Sequence, residues 1–220
     1  MPRKTKPRPF IVIESINGAG GSTQANQLVA RLKREGYKPL SLHFHQREKG
    51  TGQLIQKKFL DTHNQPAFSR REQALLYIQD FFSAKETIEK ALAASPKSAV
   101  VSDRFYGSTM AYQTLGLPGK ERRQVLDWII WLTQKGAIRL PKPNLVILLD
   151  TPPTVSANRL KGQKKDFFEN LKKLKAVRDN YLKVAREQKW VVVRSSDKEA
   201  NQRPIQEIHE EIWQHVTPLL

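Results

Sequence analysis

Short apolar runs alternate along this chain with longer segments in which apolar residues recur every three or four positions. The apolar runs predict strands at 10–14 (FIVIE), up to 43–44, and at 99–101, 145–149 and 190–193. Continuous apolar runs of this length are typical of strands that are buried on both faces. We therefore expect a parallel sheet that is covered by helices on both sides.

The amphipathic segments between these runs predict the helices. In the fourth of them, Leu171, Leu174 and Val177 recur at helical spacing. The predicted helices span 22–36, 69–94, 119–135, 167–188 and 203–216. With 220 residues, of which 39% are hydrophobic, the chain can bury one sizeable core. We expect an α/β fold, a parallel five-stranded sheet sandwiched by helices, as a single domain over residues 10–220.

The composition bears mainly on the surface of the protein. The formal net charge is +17, but the basic residues are spread over most segments and no aromatic-interleaved patch occurs. We therefore expect a solvated basic surface without a specific nucleic-acid partner, rather than a binding surface for polyanions. The first nine residues, MPRKTKPRP, predict a basic disordered arm at 1–9. No cysteine is available for a disulfide or a thiolate metal site, and we expect no membrane span and no signal peptide.

A glycine-rich turn joins the first strand to the first helix. A phosphate-binding P-loop has the form G-x-x-x-x-G-K-[ST], in which backbone N–H groups surround the phosphates and the lysine reaches the β- and γ-phosphates. In this chain Ser15 stands at the first glycine and Gly21 at the lysine. Gly18, Gly20 and Ser22 remain as the motif requires. On the loop alone, a phosphate cradle and an ordinary strand-to-helix turn are equally good interpretations.

Three further segments decide between these interpretations. After the second strand comes Arg47-Glu48-Lys49-Gly50, after the third comes 103–113 (DRFYGSTMAYQ), and the fourth strand ends in Asp150. Taken in order with the loop, they resemble the thymidylate kinase family, which carries E-G-x-D-G-x-G-K-S-T-Q, R-E-P-G-G, D-R-Y-x-x-S-x-x-A-Y-Q and I-L-L-D. The resemblance implies a P-loop nucleoside monophosphate kinase fold with a short lid at about 159–166. It also implies transfer of the γ-phosphate of ATP to dTMP or a related pyrimidine deoxynucleotide.

The resemblance also implies how phosphates and metal are bound. The loop should cradle the phosphates of the donor ATP at the helix N-terminus, through Gly18, Ala19, Gly20, Gly21, Ser22 and Thr23. Ser22 and Asp103 are the expected partners of Mg²⁺. Arg104 corresponds to the arginine that binds the phosphates between which transfer occurs. Arg47 corresponds to the arginine that holds the acceptor monophosphate.

On the base side, the family positions match this chain only in part. Tyr77 stands where the family has an aromatic that stacks on the pyrimidine, and Ser108 and Gln113 match polar base contacts. Tyr77 fits a helix core position equally well. Phe81 replaces an arginine that reads the thymine carbonyl, and Asn17 replaces an acidic residue that addresses the acceptor sugar.

The positive charge of the missing lysine has to come from another residue. The predicted lid carries Arg159, Lys161, Lys164 and Lys165, and a lid can supply basic residues to the transferring phosphate. The alternative is an exposed basic stretch at a helix start. We take Lys161 and Lys164, together with Arg47, Arg104 and Asp103, as the catalytic candidates.

Three functions stay open on the sequence. The first is an active kinase of nucleoside monophosphates, a homodimer in the cytoplasm that uses MgATP. The second is a nucleotide-binding pseudokinase with a regulatory or partner-binding role, which the loss of the lysine favours. The third is a basic nucleic-acid-binding protein on the same fold. The joint retention of Arg47, Arg104, Ser22 and Gln113 favours the first, because a protein that only binds nucleotide would not need a complete acceptor clamp.

Overall fold

The computed structural model describes residues 8–60, 68–161, 170–197 and 201–220. Five strands form one sheet in the order β2-β3-β1-β4-β5, and every pair of neighbours is parallel. The strands are β1 (Phe10–Ser15), β2 (Lys38–His43), β3 (Ser98–Asp103), β4 (Leu145–Asp150) and β5 (Val191–Arg194). The five predicted strands and their parallel arrangement are therefore confirmed.

Nine α-helices lie in the described residues, on the connections between the strands or after the last one. They are α1 (Gly21–Arg34), α2 (Gly50–Ile55), α3 (Arg70–Ser83), α4 (Lys85–Ala93), α5 (Tyr106–Gln113), α6 (Gly119–Ile130), α7 (Pro153–Arg159), α8 (Leu171–Gln188) and α9 (Ile205–Val216). Turns of π-helix extend α2 over Gln56–Leu60 and α6 over Trp131–Lys135, and a 3₁₀ turn follows α9 at Thr217–Leu219. Among these described helices, none has both the length and the apolar character needed to cross a bilayer.

The central strand β1 explains the two-layered core. All six of its residues are buried, and successive side chains point to opposite faces of the sheet. Ile11 and Ile13 pack on one face, in the cluster that includes residues of α1 and α9. Phe10 and Val12 pack on the other face, in the cluster that includes residues of α3, α4 and α6. A strand with apolar neighbours on both sides has no polar face, which is why it appears in the sequence as a continuous apolar run.

One predicted helix is divided in the structure. The segment predicted as 69–94 forms α3 and α4, which meet at Ala84. Ser69 begins α3 with a capping box, because its hydroxyl accepts from the Glu72 N–H while the Glu72 carboxylate accepts from the Ser69 N–H at 2.7 Å. The buried residues Ile78, Ala84 and Ile88 continue the apolar spacing across the division, so the periodicity could not reveal it.

The short helices α2, α5 and α7 were absent from the sequence prediction. Each has eight residues or fewer. A helix of two turns shows too few apolar repeats for its period to be recognised. Residues 1–7 of the predicted arm and residues 162–166 of the predicted lid lie outside the described residues.

Candidate active site

A cavity of about 740 Å³ opens where the carboxyl ends of the strands meet. This size is within the range of small-molecule sites, and the carboxyl edge of a parallel sheet is where such folds bind ligands. The cavity brings together most of the residues singled out from the sequence. Its lining includes Asn17, Gly18, Ala19, Gly20, Gly21, Ser22, Thr23, Arg47, Tyr77, Phe81, Asp103, Arg104, Ser108, Gln113 and Arg159.

The loop between β1 and α1 has a backbone that requires glycine at two positions. Gly18 and Gly20 have φ angles of 74° and 99°, in the left-handed region that side chains disfavour. A Cβ atom at Gly18 would lie 2.8 Å from the Ser156 carbonyl oxygen and 2.9 Å from Leu160 Cγ, so α7 leaves no room for a side chain. Helix α1 begins directly at Gly21, with its first N–H groups at the cavity. This arrangement is suited to binding an anion.

The Ser15 hydroxyl lies next to position 21, where the P-loop motif has its lysine. A Cβ atom built on Gly21 would lie 2.6 Å from Ser15 Oγ and 3.2 Å from Asp103 Oδ1. A side chain at position 21 would therefore meet the Ser15 hydroxyl in its present orientation. The two residues by which this loop departs from the P-loop motif lie next to each other.

The Asp103 carboxylate lies beside the start of α1. Its Oδ2 atom accepts a hydrogen bond from Ser22 Oγ and a second one from His43 Nδ1 at 2.8 Å. Burial alone raises the pKa of Asp103, but the hydrogen bond from His43 and the charge of Arg104 outweigh burial, so the net pKa is lowered. The carboxylate is therefore ionised at neutral pH. His43 was not predicted as a site residue, because its partner lies 60 positions away in the chain.

Arg104 follows Asp103 in a strained backbone conformation, with a φ angle of 67°. Its Nη2 donates to Asn17 Oδ1 at 2.7 Å, and its Nη1 donates to the Tyr181 hydroxyl at 3.4 Å. The guanidinium carbon lies 5.8 Å from the ring centre of Tyr112. Burial lowers the pKa of Arg104, but the neighbouring tyrosines and carboxylates raise it more strongly, so the guanidinium stays charged. The structure thus holds a cation rigidly at the cavity wall.

Glu14 lies behind Arg104 and is completely buried. Its carboxylate accepts hydrogen bonds from the Phe105 N–H at 2.9 Å, Ser108 Oγ at 2.6 Å and the Tyr181 hydroxyl at 3.2 Å. Burial raises the pKa of Glu14 to about 7, against the opposing effects of these hydrogen bonds and of Arg104. Glu14 was not predicted as a site residue. The sequence feature that could have indicated it is a carboxylate at the end of an apolar strand, because a buried carboxylate requires hydrogen-bond partners.

The inner end of the cavity is apolar and aromatic. Phe81 is buried and contacts Phe44 and Phe105 edge to face, with ring centres 5.0 and 5.2 Å apart. Tyr77 lies one helical turn before Phe81 on α3 and also lines the cavity. Gln113 is one of the buried polar side chains of the cavity lining, 3% exposed. Phe81 therefore belongs both to the core and to the cavity wall. Its side chain is uncharged at the position where the family pattern has an arginine.

Ser108 and Asp150 have structural partners that the sequence did not indicate. The Ser108 hydroxyl, expected at the base, donates to Glu14 and accepts from Tyr181 at 3.0 Å. Asp150, the last residue of β4, forms a two-point ion pair with Arg178 of α8 at 2.5 and 2.8 Å. That pair ties the end of β4 to α8, next to the cavity rather than in it.

The basic residues of the predicted lid differ in where they lie. Arg159, the last residue of α7, donates from Nη1 to the carbonyl oxygens of Gly18 at 3.2 Å and Ala19 at 2.9 Å. Lys161 is exposed and is absent from the described residues that line the cavity. Lys164 and Lys165 lie outside the described residues. Arg159 is therefore the cation of this segment that the structure places on the glycine-rich loop.

The connection between β5 and α9 also reaches the cavity, which the sequence did not indicate. Gln202, Arg203 and Ile205 line its outer part. Arg203 is held by the Arg194 carbonyl oxygen at 2.7 Å and by Glu211 at 2.6 Å. These residues follow the carboxyl end of the last strand. That location was the only feature of the sequence that could have indicated that they line the cavity.

Comparison with known proteins agrees with this geometry. The family model for thymidylate kinase matches residues 13–212. A probable thymidylate kinase of Thermococcus onnurineus is 37% identical over 185 residues, covering 80% of this chain and 83% of that protein. A thymidylate kinase of Carboxydothermus hydrogenoformans is 35% identical over 190 residues, covering 84% and 87%.

The solved structures show the same fold. The thymidylate kinase of Candida albicans superimposes with a TM-score of 0.76 at 20% sequence identity, over 96% of this chain and 92% of that one. At that identity the likeness concerns the fold alone. The sequence relatives and the family model extend it to the chain itself, which belongs to the thymidylate kinase family.

Proposed function

We propose that this protein transfers the γ-phosphate of ATP to dTMP, or to a related pyrimidine deoxynucleotide. One observation carries the proposal. A single cavity joins a glycine-rich helix N-terminus, the fixed cation of Arg104 and an aromatic inner end around Phe81. Phosphoryl transfer depends on positioning and on positive charge around the transferred group, which the first two features supply. The third offers flat apolar walls to a base.

The donor phosphates would bind at the start of α1. Its first N–H groups face the cavity, and the first turn carries no acidic residue that would repel phosphate. Gly18, Ala19, Gly20, Gly21, Ser22 and Thr23 form this cradle. Arg159 already lies on the carbonyl groups of the loop and would add positive charge beside the phosphates.

Mg²⁺ is expected with ATP, and the residues present fit it. Ser22 and Asp103 provide a hydroxyl and an ionised carboxylate in direct contact, which are the oxygen ligands that Mg²⁺ accepts. The described residues contain no group of three or more His, Cys, Asp or Glu side chains that could hold a metal ion. The remaining ligands would therefore be phosphate oxygens and waters, as is usual for this ion. When bound, the ion neutralises charge on the phosphates.

The acceptor would lie between the two arginines and the aromatic end. Arg47 and Arg104 line the cavity from different loops, so both can address the acceptor monophosphate. Tyr77 and Phe81 bound the space for the base, and Gln113 is the buried polar group beside it. A homodimer in the cytoplasm is part of the same proposal and is supported by family membership alone.

A coupled assay tests the proposal directly. Purified protein with ATP, Mg²⁺ and a panel of nucleoside monophosphates should form ADP in the presence of dTMP. Arg104→Ala should lower kcat/KM by about 10² or more, because one charge-assisted hydrogen bond contributes about 1.5–3 kcal/mol and more in a site without water. Arg123→Ala removes an exposed arginine of α6 and serves as the matched control. An Arg104→Ala protein with full activity on every monophosphate would overturn the proposal, and a wild type that binds nucleotide without turnover would indicate a pseudokinase.

A further inference from the structure

The backbone on both sides of the Ser15–Gly21 contact is fixed. Ser15 is the last residue of β1, where it pairs with Leu149 of β4, and it is 3% exposed. Gly21 is the first residue of α1 and is buried. Neither backbone segment can move away without disrupting the sheet or the helix start, so only a turn of the Ser15 hydroxyl about its Cα–Cβ bond would make room. A side chain at position 21 therefore requires the Ser15 hydroxyl to leave the orientation in which it faces Gly21.

The Ser15 hydroxyl has no hydrogen-bond partner in the parts of the chain that the structure describes. It lies at the cavity wall, beside the start of α1. A hydroxyl that is open to a cavity and has no protein partner is available to water or to a ligand. The hydroxyl faces the space that the first carbon of a lysine side chain would occupy, on the way to the phosphates.

We propose that Ser15 and Gly21 act as one coupled pair in nucleotide binding. The Ser15 hydroxyl occupies the space beside position 21 and donates, directly or through one water, to the donor's phosphates. This inference rests on the proposed function for the identity of the ligand. It goes beyond that function because it makes Ser15 a phosphate-binding residue and explains why the lysine is missing.

The pair predicts that lysine can be restored only together with a change at Ser15. In Gly21→Lys alone, the first carbon of the new side chain lies 2.6 Å from Ser15 Oγ, so the hydroxyl has to leave its place beside the start of α1. In Ser15→Gly/Gly21→Lys the obstructing atoms are gone and the ammonium group can reach the phosphates. The same substitution at position 21 should thus have opposite effects in the two backgrounds.

The first experiment needs no nucleotide and therefore does not depend on the proposed function. Gly21→Ala should lower the Tm by about 3–10 °C, the usual result of overpacking a buried site in a domain of this size. Gly119→Ala is the matched control, because Gly119 is also the first residue of a helix and no atom lies within 4 Å of its Cβ position. In the Ser15→Gly background the difference between the two alanine variants should disappear. Equal Tm values for Gly21→Ala and Gly119→Ala in the native background would overturn the steric part of the inference.

The second experiment measures the affinity for a non-hydrolysable ATP analogue with Mg²⁺ by calorimetry. Ser15→Ala should weaken binding about tenfold, as expected for one hydrogen bond to a charged group. Gly21→Lys should weaken it further, whereas Ser15→Gly/Gly21→Lys should bind more tightly than Ser15→Gly. Unchanged affinity in Ser15→Ala, or a gain in Gly21→Lys alone, would overturn the inference. Absence of binding in every protein, wild type included, with the Tm results as expected, would instead refute the proposed function.

Discussion

The Arg104 guanidinium is anchored to a neutral side chain. Its Nη2 donates to Asn17 Oδ1 at 2.7 Å, and the Tyr112 hydroxyl donates to the same oxygen at 3.3 Å. An aspartate at this position, as in the family pattern, would instead pair with the arginine as an ion. Relative to that pattern the loop has lost one negative charge at Asn17 and one positive charge at Gly21. The net charge of the loop is therefore the same as in that pattern.

Asn17→Asp should disturb this balance. The new carboxylate would compete with the monophosphate for Arg104 and would repel the phosphates, so we expect the KM for the acceptor to rise about tenfold. Steady-state kinetics at fixed MgATP measures this effect. Asn17→Ala removes the hydrogen-bond acceptor without adding charge and should change KM much less. A lower KM in Asn17→Asp would show that the residue reads the acceptor sugar rather than setting the charge of the site.

Arg159 and Lys161 offer a test of which residue replaces the lysine. Arg159 reaches the glycine-rich loop, while Lys161 is exposed two residues later. Arg159→Gln should lower kcat by about 10²–10³, the usual effect of losing one preorganised donor to the transition state. Lys161→Gln should lower it only slightly if the lysine faces solvent. Rapid-quench measurement of the phosphoryl-transfer step separates this effect from product release. A large loss in Lys161→Gln with little loss in Arg159→Gln would assign this role to the lid lysines instead.

Phe81 should weaken discrimination among pyrimidine bases. The side chain is packed among aromatic rings and offers no hydrogen bond to the base. A pocket without such a group leaves no buried charge unpaired when the wrong base enters, so the kcat/KM ratios of dTMP to dUMP and dCMP should stay below about 10². A preference of about 10⁴ or more would show that another residue, with Gln113 the first candidate, reads the base. Gln113→Leu would then remove that preference.

Glu14 should make the stability of the protein fall as the pH rises. The pKa of Glu14 is about 7 in the folded protein against 4.5 for the ordinary side chain. Between these values the folded protein holds a proton that the unfolded chain has released, so the free energy of unfolding falls through this window. The loss from this one group is about 3 kcal/mol, complete above pH ~7 and absent below pH ~4.5.

Glu14→Gln removes this titration while keeping the shape of the side chain. Denaturant unfolding at pH 5 and pH 8 should show a smaller loss of stability in the variant than in the wild type. Glu121→Gln replaces an exposed carboxylate of α6 and should behave as the wild type does. If Glu14→Gln and the wild type lose the same free energy between the two pH values, Glu14 is ionised throughout and the burial argument is wrong.

The site was predictable where short motifs encode it. The order of residues around Arg47, Asp103 and Arg104 indicated the family before any fold was known, and the carboxyl ends of parallel strands necessarily meet at one edge. The same reasoning could not find Glu14 or His43. Their partners lie 91–167 and 60 positions away in the chain, and no local pattern reports such a contact.

The sequence by itself determined the elements whose cause is local. The sequence predicted all five strands and a glycine-rich turn between the first strand and the first helix, and the absence of lysine at 21 was visible directly. Only the tertiary structure decided how that absence is accommodated. Ser15 and Gly21 are six positions apart, but their contact arises because β1 ends and α1 begins at the same point in space. Close packing makes the space at one residue depend on the volume of the other, and this dependence is set by the fold rather than by either residue alone.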